Sequence, residues 1–313
     1  MEAGDLAIRP VAADELGTCG DIWRSSINDY LARLSVPEIP PELGPITRLY
    51  GHLRTTDPDA FVVAVDGDRI IGFAAAVVRE RLWFLSMLFV RPEAQGRGLG
   101  RALLTRIHPA ADADMVLGTG TDAAQPISNA LYAMHGIVPR MPLLNVTGLP
   151  VRPEAFGSLP SGVTPAPFDE IAGAAPDGRG HGDLVAAVDR LDRATLGFAH
   201  PADHRFLRGE SRRGWLYRGP DGGPLGYGYA GEGGRVGPVA ALDEMLVAPI
   251  LGHLMSATQP RGAFAIWLPG DADRAVTAVL RAGLRLDQFP VLLCWSRDFA
   301  DFRRYLPISP GLL

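Results

Sequence analysis

Gly96, Gly98 and Gly100 alternate with Arg97, Leu99 and Arg101, five residues after the apolar run Leu82 to Val90 and directly before the helix-like run Ala102 to Ile107. Residues without a Cβ let backbone amides approach an anion, and the first turn of the next helix adds unpaired N–H groups and the positive end of its dipole. Arg97 and Arg101 add charge at the rim. The chemistry offered is the holding of a pyrophosphate. A Rossmann fingerprint needs a short strand-to-glycine spacing and a later acidic residue, and a nucleotide P-loop ends in Gly-Lys-Ser/Thr; this turn has neither pattern.

The longer segment Val90-Arg91-Pro92-Glu93-Ala94-Gln95-Gly96-Arg97-Gly98-Leu99-Gly100 resembles the acyl-CoA signature of the GNAT N-acetyltransferase superfamily, V-x-P-x-x-Q/R-x-x-G-x-G/A. Downstream, Ser128-Asn129-Ala130-Leu131-Tyr132-Ala133-Met134-His135-Gly136-Ile137 resembles the later helix of that family, N-x-x-L-Y-x-x-x-G-F. The two motifs stand in the family's order. The resemblance implies an acyl-CoA cosubstrate, most simply acetyl-CoA, and transfer of its acyl group to an amine. It also implies that Gln95, Gly96, Arg97, Gly98, Leu99, Gly100 and Arg101 hold the pyrophosphate. Backbone groups near Leu88, Phe89 and Val90 would pair with the pantetheine amides as an added strand does.

An attacking amine must lose a proton, the tetrahedral intermediate needs an oxyanion donor, and the departing thiolate is helped by an acid. By resemblance Tyr132 is that acid, and Asn129 contacts the cofactor arm, although a helix N-cap would look the same. Many family members carry a glutamate base on the strand before the glycine turn. Here that strand reads Leu-Trp-Phe-Leu-Ser-Met-Leu-Phe-Val; Ser86 could order a water, and Glu80 falls in the preceding turn. The base stays unassigned.

His200 and His204 are four apart, a helical zinc spacing, but Pro201 interrupts the interval and no third ligand stands nearby in sequence, so no metal is expected. His52, His108 and His253 read as surface or capping residues, and His135 complements a helix C-terminus. Cys19 and Cys294 are too far apart for a thiolate site and read as small buried hydrophobes. Trp23, Asn28, Asp29, Tyr30 and the run Pro37 to Pro41 belong to a first helical hairpin, which lines the acceptor pocket in the family. Gly226-Tyr227-Gly228-Tyr229 with Arg235 and Asp203 reads either as a substrate wall or as an ordinary aromatic strand pair.

The positioning elements come in two similar sets. Ile8-Arg9-Pro10 followed by Asp14-Glu15-Leu16 lines up with Val163-Thr164-Pro165 followed by Asp169-Glu170-Ile171; Ile71-Gly72-Phe73 lines up with Leu225-Gly226-Tyr227, and Gly136-Ile137 with Gly283-Leu284. The offset is nearly constant and then shrinks in the region of the glycine turn. The second set has no Gln-x-x-Gly-x-Gly, and Val279 stands near the place of Tyr132. The expected fold class is therefore α/β (α+β): tandem GNAT-like domains, each a mixed, mostly antiparallel sheet flanked by helices. Residues 1–149 form a CoA-binding domain, 150–182 a Pro- and Gly-rich junction, and 183–313 a degenerate second domain.

In the first set, strands are expected at 6–10, 61–65, 70–78, 82–90, 114–119 and 140–147, with helices at 14–34, 42–55, 99–107 and 126–135. Asp66-Gly67-Asp68 reads as a hairpin turn. In the second set, strands are expected at 214–218, 225–230, 235–240, 262–268 and 289–296, with helices at 184–195, 243–257 and 271–282.

With 313 residues, 47% of them hydrophobic, the chain can bury one large core or two domains of ordinary size, and length favours two. A net charge of −5 disfavours a nucleic-acid partner. No apolar run reaches the roughly 18 residues of a membrane span, and the first residues are acidic, so a cytoplasmic monomer or homodimer with no membrane partner is expected. The favoured function is an acyl-CoA-dependent N-acyltransferase acting on a small-molecule amine. The rivals are a non-catalytic acyl-CoA sensor and a biosynthetic acyltransferase with another acyl donor.

Overall fold

The computed structural model describes residues 6–110, 114–173, 179–287 and 289–313. The chain folds as two compact units, Met1–Leu117 and Gly118–Leu313.

The first unit contains β1 (Leu6–Pro10), α1 (Leu16–Arg33), α2 (Gly44–Thr56), β2 (Phe61–Asp66), β3 (Arg69–Arg79), β4 (Leu82–Val90) and α3 (Leu99–Ile107). Its strands pair antiparallel in the order β1-β2-β3-β4. The middle strands are apolar almost throughout because helices leave little of either face to water, and Phe61, Val62, Val63, Ala64 and Phe73 to Ala76 are fully buried. The expected turn is a two-residue loop: Asp66 pairs with Arg69, and Gly67 takes a φ of 59°. Leu99, Leu103, Leu104 and Ile107 form the buried stripe of α3. That helix sits so close to β3 that a Cβ on Gly72 would lie 3.2 Å from Leu103 Cδ1 and 3.0 Å from the Phe89 carbonyl oxygen. Asp57 accepts Arg79 Nη1 at 2.9 Å and the Val78 amide at 2.9 Å, a buried pair that fixes the far end of β3.

The second unit takes in most of β5 (Val116–Asp122), then α4 (Pro126–Ala133), β6 (Val138–Gly148), β7 (Thr164–Pro167), α5 (Phe168–Gly173), α6 (Arg179–Thr195) and α7 (Pro201–Gly209). It continues with β8 (Arg212–Arg218), β9 (Pro224–Gly231), β10 (Arg235–Ala241), α8 (Val247–Ser256), β11 (Phe264–Pro269), α9 (Asp273–Arg281), β12 (Arg285–Leu286), β13 (Val291–Trp295) and β14 (Tyr305–Leu306). The strand order is β5-β13-β6-β11-β10-β9-β8-β7, with β12 on β6 and β14 on β10. β10 and β11 pair in parallel. The antiparallel succession β7-β8-β9-β10 repeats that of β1-β2-β3-β4, which gives the sequence repeat its structural form.

The division between the units falls ahead of the Pro- and Gly-rich stretch. The reason is the backbone ladder: β6 pairs with β11, β12 and β13, and β13 also pairs with β5, so residues 118–148 are tied to the C-terminal part of the chain. Pro176, within that stretch, lies outside the described residues, as do the first five residues. Among the described residues no helix is long and apolar enough to cross a membrane.

On β9 the alternation Gly226-Tyr227-Gly228-Tyr229 serves two faces. A Cβ on Gly228 would lie 2.6 Å from Leu254 Cδ1, so the glycine face admits α8, while both tyrosines are fully buried on the other face. Burial makes this an internal strand, and the substrate-wall reading is set aside. The sequence pattern alone does not predict α7, β12 or β14, and the strand expected at 114–119 runs instead from Val116 to Asp122.

Candidate active site

In the first unit the site begins with an irregularity in β4. Ala75 pairs with Met87 and Ala76 with Leu85, so Ser86 is the extra residue of a β-bulge. A bulge bends its strand and re-aims the side chains around it. Ser86 is buried, and beyond it Leu88, Phe89 and Val90 become partly accessible while pairing with Ala74, Phe73 and Gly72 of β3. The Val90 carbonyl accepts Ser26 Oγ at 2.9 Å and Gln95 Nε2 at 2.9 Å. Gln95 therefore acts on the strand end: its side chain holds the turn against β4, and α1 is tied to the same oxygen through Ser26.

The glycine turn follows. Gly96 and Gly98 have φ values of 77° and 80°, in the left-handed region that side chains disfavour, and nothing lies within 4 Å of a Cβ built on either. Gly98 is the N-cap of α3 and supplies no side-chain acceptor. The amides of Leu99, Gly100 and Arg101, in the first turn, thus have no intrahelical partner and no cap. Arg97 and Arg101 are exposed, and neither enters an ion pair among the described residues. Glu80 lies in the β3–β4 turn with φ 48°, as expected of a turn charge.

The helical hairpin uses two of its polar residues internally. Asn28 accepts the Ile39 amide at 2.8 Å and donates to Glu38 at 3.2 Å, which latches the Pro-rich run, and Asp29 pairs with Arg33 at 2.6 Å. Trp23 and Tyr30 stay half-buried.

In the second unit, α4 carries Asn129 and Tyr132. Asn129 is not the N-cap, a place held by Gln125; it lies inside the helix, where Nδ2 donates to the Asp122 carbonyl at 3.0 Å and the Gln125 carbonyl at 2.8 Å. Its Oδ1 is buried and has no hydrogen-bond partner among the described residues. Tyr132 is 5% exposed. Burial pushes its hydroxyl well above the usual phenol range, partly offset by a hydrogen bond with Ser128, so it keeps its proton at neutral pH. Cys294 of β13 adds to its surroundings; burial pushes that thiol up to about 12, which makes it the inert small hydrophobe expected.

The corresponding places in β10 and α8 are arranged differently. β10 pairs with β11 only at Arg235 and Val236; at its other end Val239 and Ala240 pair with Leu306 and Tyr305 of β14, and the Ala241 amide donates to the Arg304 carbonyl at 3.0 Å. Before α8, the Asp243 carboxylate accepts the Met245 amide at 2.9 Å, and Glu244 pairs with Arg274 at 3.2 Å.

His200 and His204 also differ from expectation. Pro201 sits at the start of α7, where a proline is tolerated, and His200 precedes it as N-cap. Both imidazoles meet Asp192 of α6, a third group that sequence spacing could not supply.

Residues 25–137 match the family described as Acetyltransferase (GNAT) family. No curated protein sequence matches the chain significantly. Among solved structures, a candidate acetyltransferase of Pyrococcus horikoshii is 14% identical and superposes with a TM-score of 0.74 over 100% of this chain and 97% of its own. A GCN5-related N-acetyltransferase of Sphaerobacter thermophilus is 16% identical, with a TM-score of 0.61 over 95% of this chain and 97% of its own. A tandem GNAT protein from the clavulanic acid biosynthesis pathway is 17% identical, with a TM-score of 0.54 over 93% and 98%. Such identities speak to fold, and the fold shared is the mixed, mostly antiparallel GNAT architecture.

Proposed function

Proceeding from the match of residues 25–137 to the GNAT acetyltransferase family, we propose that the chain is an acyl-CoA-dependent N-acyltransferase which moves acetyl from acetyl-CoA to a small-molecule amine. The observation that carries this reading is the uncapped start of α3 behind two left-handed glycines, flanked by two unpaired arginines. Amides of Gly96 to Arg101 take the pyrophosphate, and Arg97 and Arg101 balance its charge. Leu88 and Phe89 offer backbone groups to the pantetheine arm; the Val90 carbonyl is already engaged. By the family resemblance, Asn129 of α4 contacts the cofactor arm.

The amine nitrogen attacks the thioester carbon, the tetrahedral intermediate collapses, and the C–S bond breaks as the C–N bond remains. Tyr132, protonated at neutral pH, donates to the departing thiolate. The amine proton leaves through water ordered at Ser86, since β4 carries no carboxylate. In the second unit the cap of Asp243 and the pairing of β14 stand where a cofactor would bind, so one acyl-CoA per chain is the stoichiometry of this reading.

Calorimetric titration with acetyl-CoA, followed by CoA release in the presence of small amines, tests it. Tyr132→Phe should lower kcat about 100-fold or more with the acetyl-CoA Kd unchanged. Acetyl-CoA binding without turnover by any amine would favour a sensor, and no binding by the parent protein would end the acyl-CoA reading altogether.

A further inference from the structure

On the face of β9 opposite α8, the second unit buries a set of ionisable side chains that acyl transfer does not use. Asp192 of α6, His200 and His204 are 0%, 0% and 3% exposed. Both histidines present Nε2 to the same atom: His204 Nε2 lies 2.9 Å and His200 Nε2 3.4 Å from Asp192 Oδ2. One donor atom from each of the three residues falls within 4.8 Å of the other two.

The 2.9 and 3.4 Å separations bracket the edge of a tetrahedral coordination polyhedron. Zinc–nitrogen and zinc–oxygen bonds of about 2.0–2.1 Å in a tetrahedron put neighbouring ligand atoms about 3.3 Å apart. The Tyr305 hydroxyl lies 3.3 Å from His200 Nε2, at the distance of a fourth vertex.

Two of the three outer atoms are held as metal ligands require. Histidine ligands have their second nitrogen fixed by an oxygen, and ligating carboxylates are themselves hydrogen-bonded. Here Tyr229 Oη lies 2.9 Å from His204 Nδ1, Asp203 Oδ2 lies 3.4 Å from His200 Nδ1, and Tyr227 Oη donates to Asp192 Oδ1 at 2.5 Å. His200 Nδ1, fully buried, makes no hydrogen bond of acceptable geometry.

Charge favours a cation as well. Asp192 and Asp203 bring two negative charges into a dry interior, where unbalanced charge is costly. A divalent cation among these side chains offsets that charge.

We infer that Asp192, His200 and His204 bind a zinc ion, with the Tyr305 hydroxyl at the fourth position, as a structural centre joining α6, α7 and β14 behind β9. A shallow cavity lined by His204, Asp189, Pro201 and Arg208 reaches the edge of the cluster.

Elemental analysis of the purified full chain tests this directly, and about one zinc per chain is expected, either as isolated or after incubation with zinc sulfate and desalting. Replacement by cobalt(II) should give visible d–d bands of a four-coordinate nitrogen and oxygen site. Tyr229→Phe, which keeps the ring and removes only the hydroxyl behind His204, should weaken zinc about 10- to 100-fold with the circular dichroism spectrum unchanged. Asp192→Asn should abolish binding. Less than about a tenth of an equivalent of zinc after incubation, together with no cobalt spectrum in the parent protein, would overturn the site and leave a proton-shared polar cluster.

Discussion

Each unit turns from the end of a three-strand meander into a helix, and the two turns are finished in opposite ways. In the first, Gly96 and Gly98 take left-handed backbone, α3 starts without a cap, and the neighbouring charges are Arg97 and Arg101. In the second, Asp243 and Glu244 stand at the turn into α8, and a carboxylate already bonds the Met245 amide. The strands differ in the same sense, because the far end of β10 is paired by β14, a segment of the chain itself. A helix start and a strand end are general binding features, so what decides between recognition and architecture is whether the protein satisfies those groups internally. In the second unit Asp243 takes an amide of the turn ahead of α8, and β14 takes part of the strand end. The first leaves its helix amides without a side-chain cap.

The largest effect should come from undoing the closure in the second unit. Leu306 is fully buried, and its side chain belongs to the main core there. Leu306→Ala should cost about 2–5 kcal/mol, read as a lower Tm by calorimetry. Acetyl-CoA should still bind once per chain to the folded variant; a second binding event would mean that β14 masks a competent site and that the comparison is wrong.

Next in size is the opening in the first unit. Gly98→Glu puts a side chain where φ is 80° and a negative charge at the mouth of α3. Strain of about 1–2 kcal/mol and a lost or reversed dipole interaction of about 1 kcal/mol should weaken acetyl-CoA about 100-fold by titration calorimetry. Gly98→Asn separates the causes, since asparagine tolerates left-handed backbone and carries no charge; it should lose about tenfold or less. Equal losses would place the effect in backbone geometry and remove the anion from the argument.

These features were unevenly legible in the sequence. The glycine turn and the Tyr132 helix could be read because each is local: a few consecutive residues set the backbone, the helix start and the motif. The meanders could be read from apolar runs bounded by turn residues, and the repeat from their order. The Asp192, His200 and His204 cluster could not, because Asp192 belongs to a different helix from His204 and Pro201 looked like an interruption when it is a helix start. β14 escaped because two residues carry no periodicity, and its meaning lies in the partner strand. The asparagine motif was legible as a position while one reading of its role was not, since Gln125 holds the cap. The signal missed there was Pro126, a residue that favours the first helical position and so puts the cap just before it.

A smaller effect tests the cap in the second unit. Asp243→Ala removes the acceptor of the Met245 amide and should lower stability by about 1 kcal/mol, measured by denaturant unfolding. The acetyl-CoA stoichiometry should not change, because β14 still pairs β10.

The smallest effect concerns the sign of the charge at the first turn. Arg97 is exposed, so its attraction to a phosphate a few ångströms away is about 1 kcal/mol in water and is weakened by salt. Arg97→Ala should therefore weaken acetyl-CoA about fivefold at low ionic strength and less at high ionic strength, whereas the loss in Gly98→Asn, rooted in backbone conformation, should stay nearly constant with salt. Titrations of both variants at two salt concentrations separate the contributions. If the Arg97→Ala loss does not shrink with salt, the arginine is acting through packing, and the contrast between the two turns rests on backbone and caps alone.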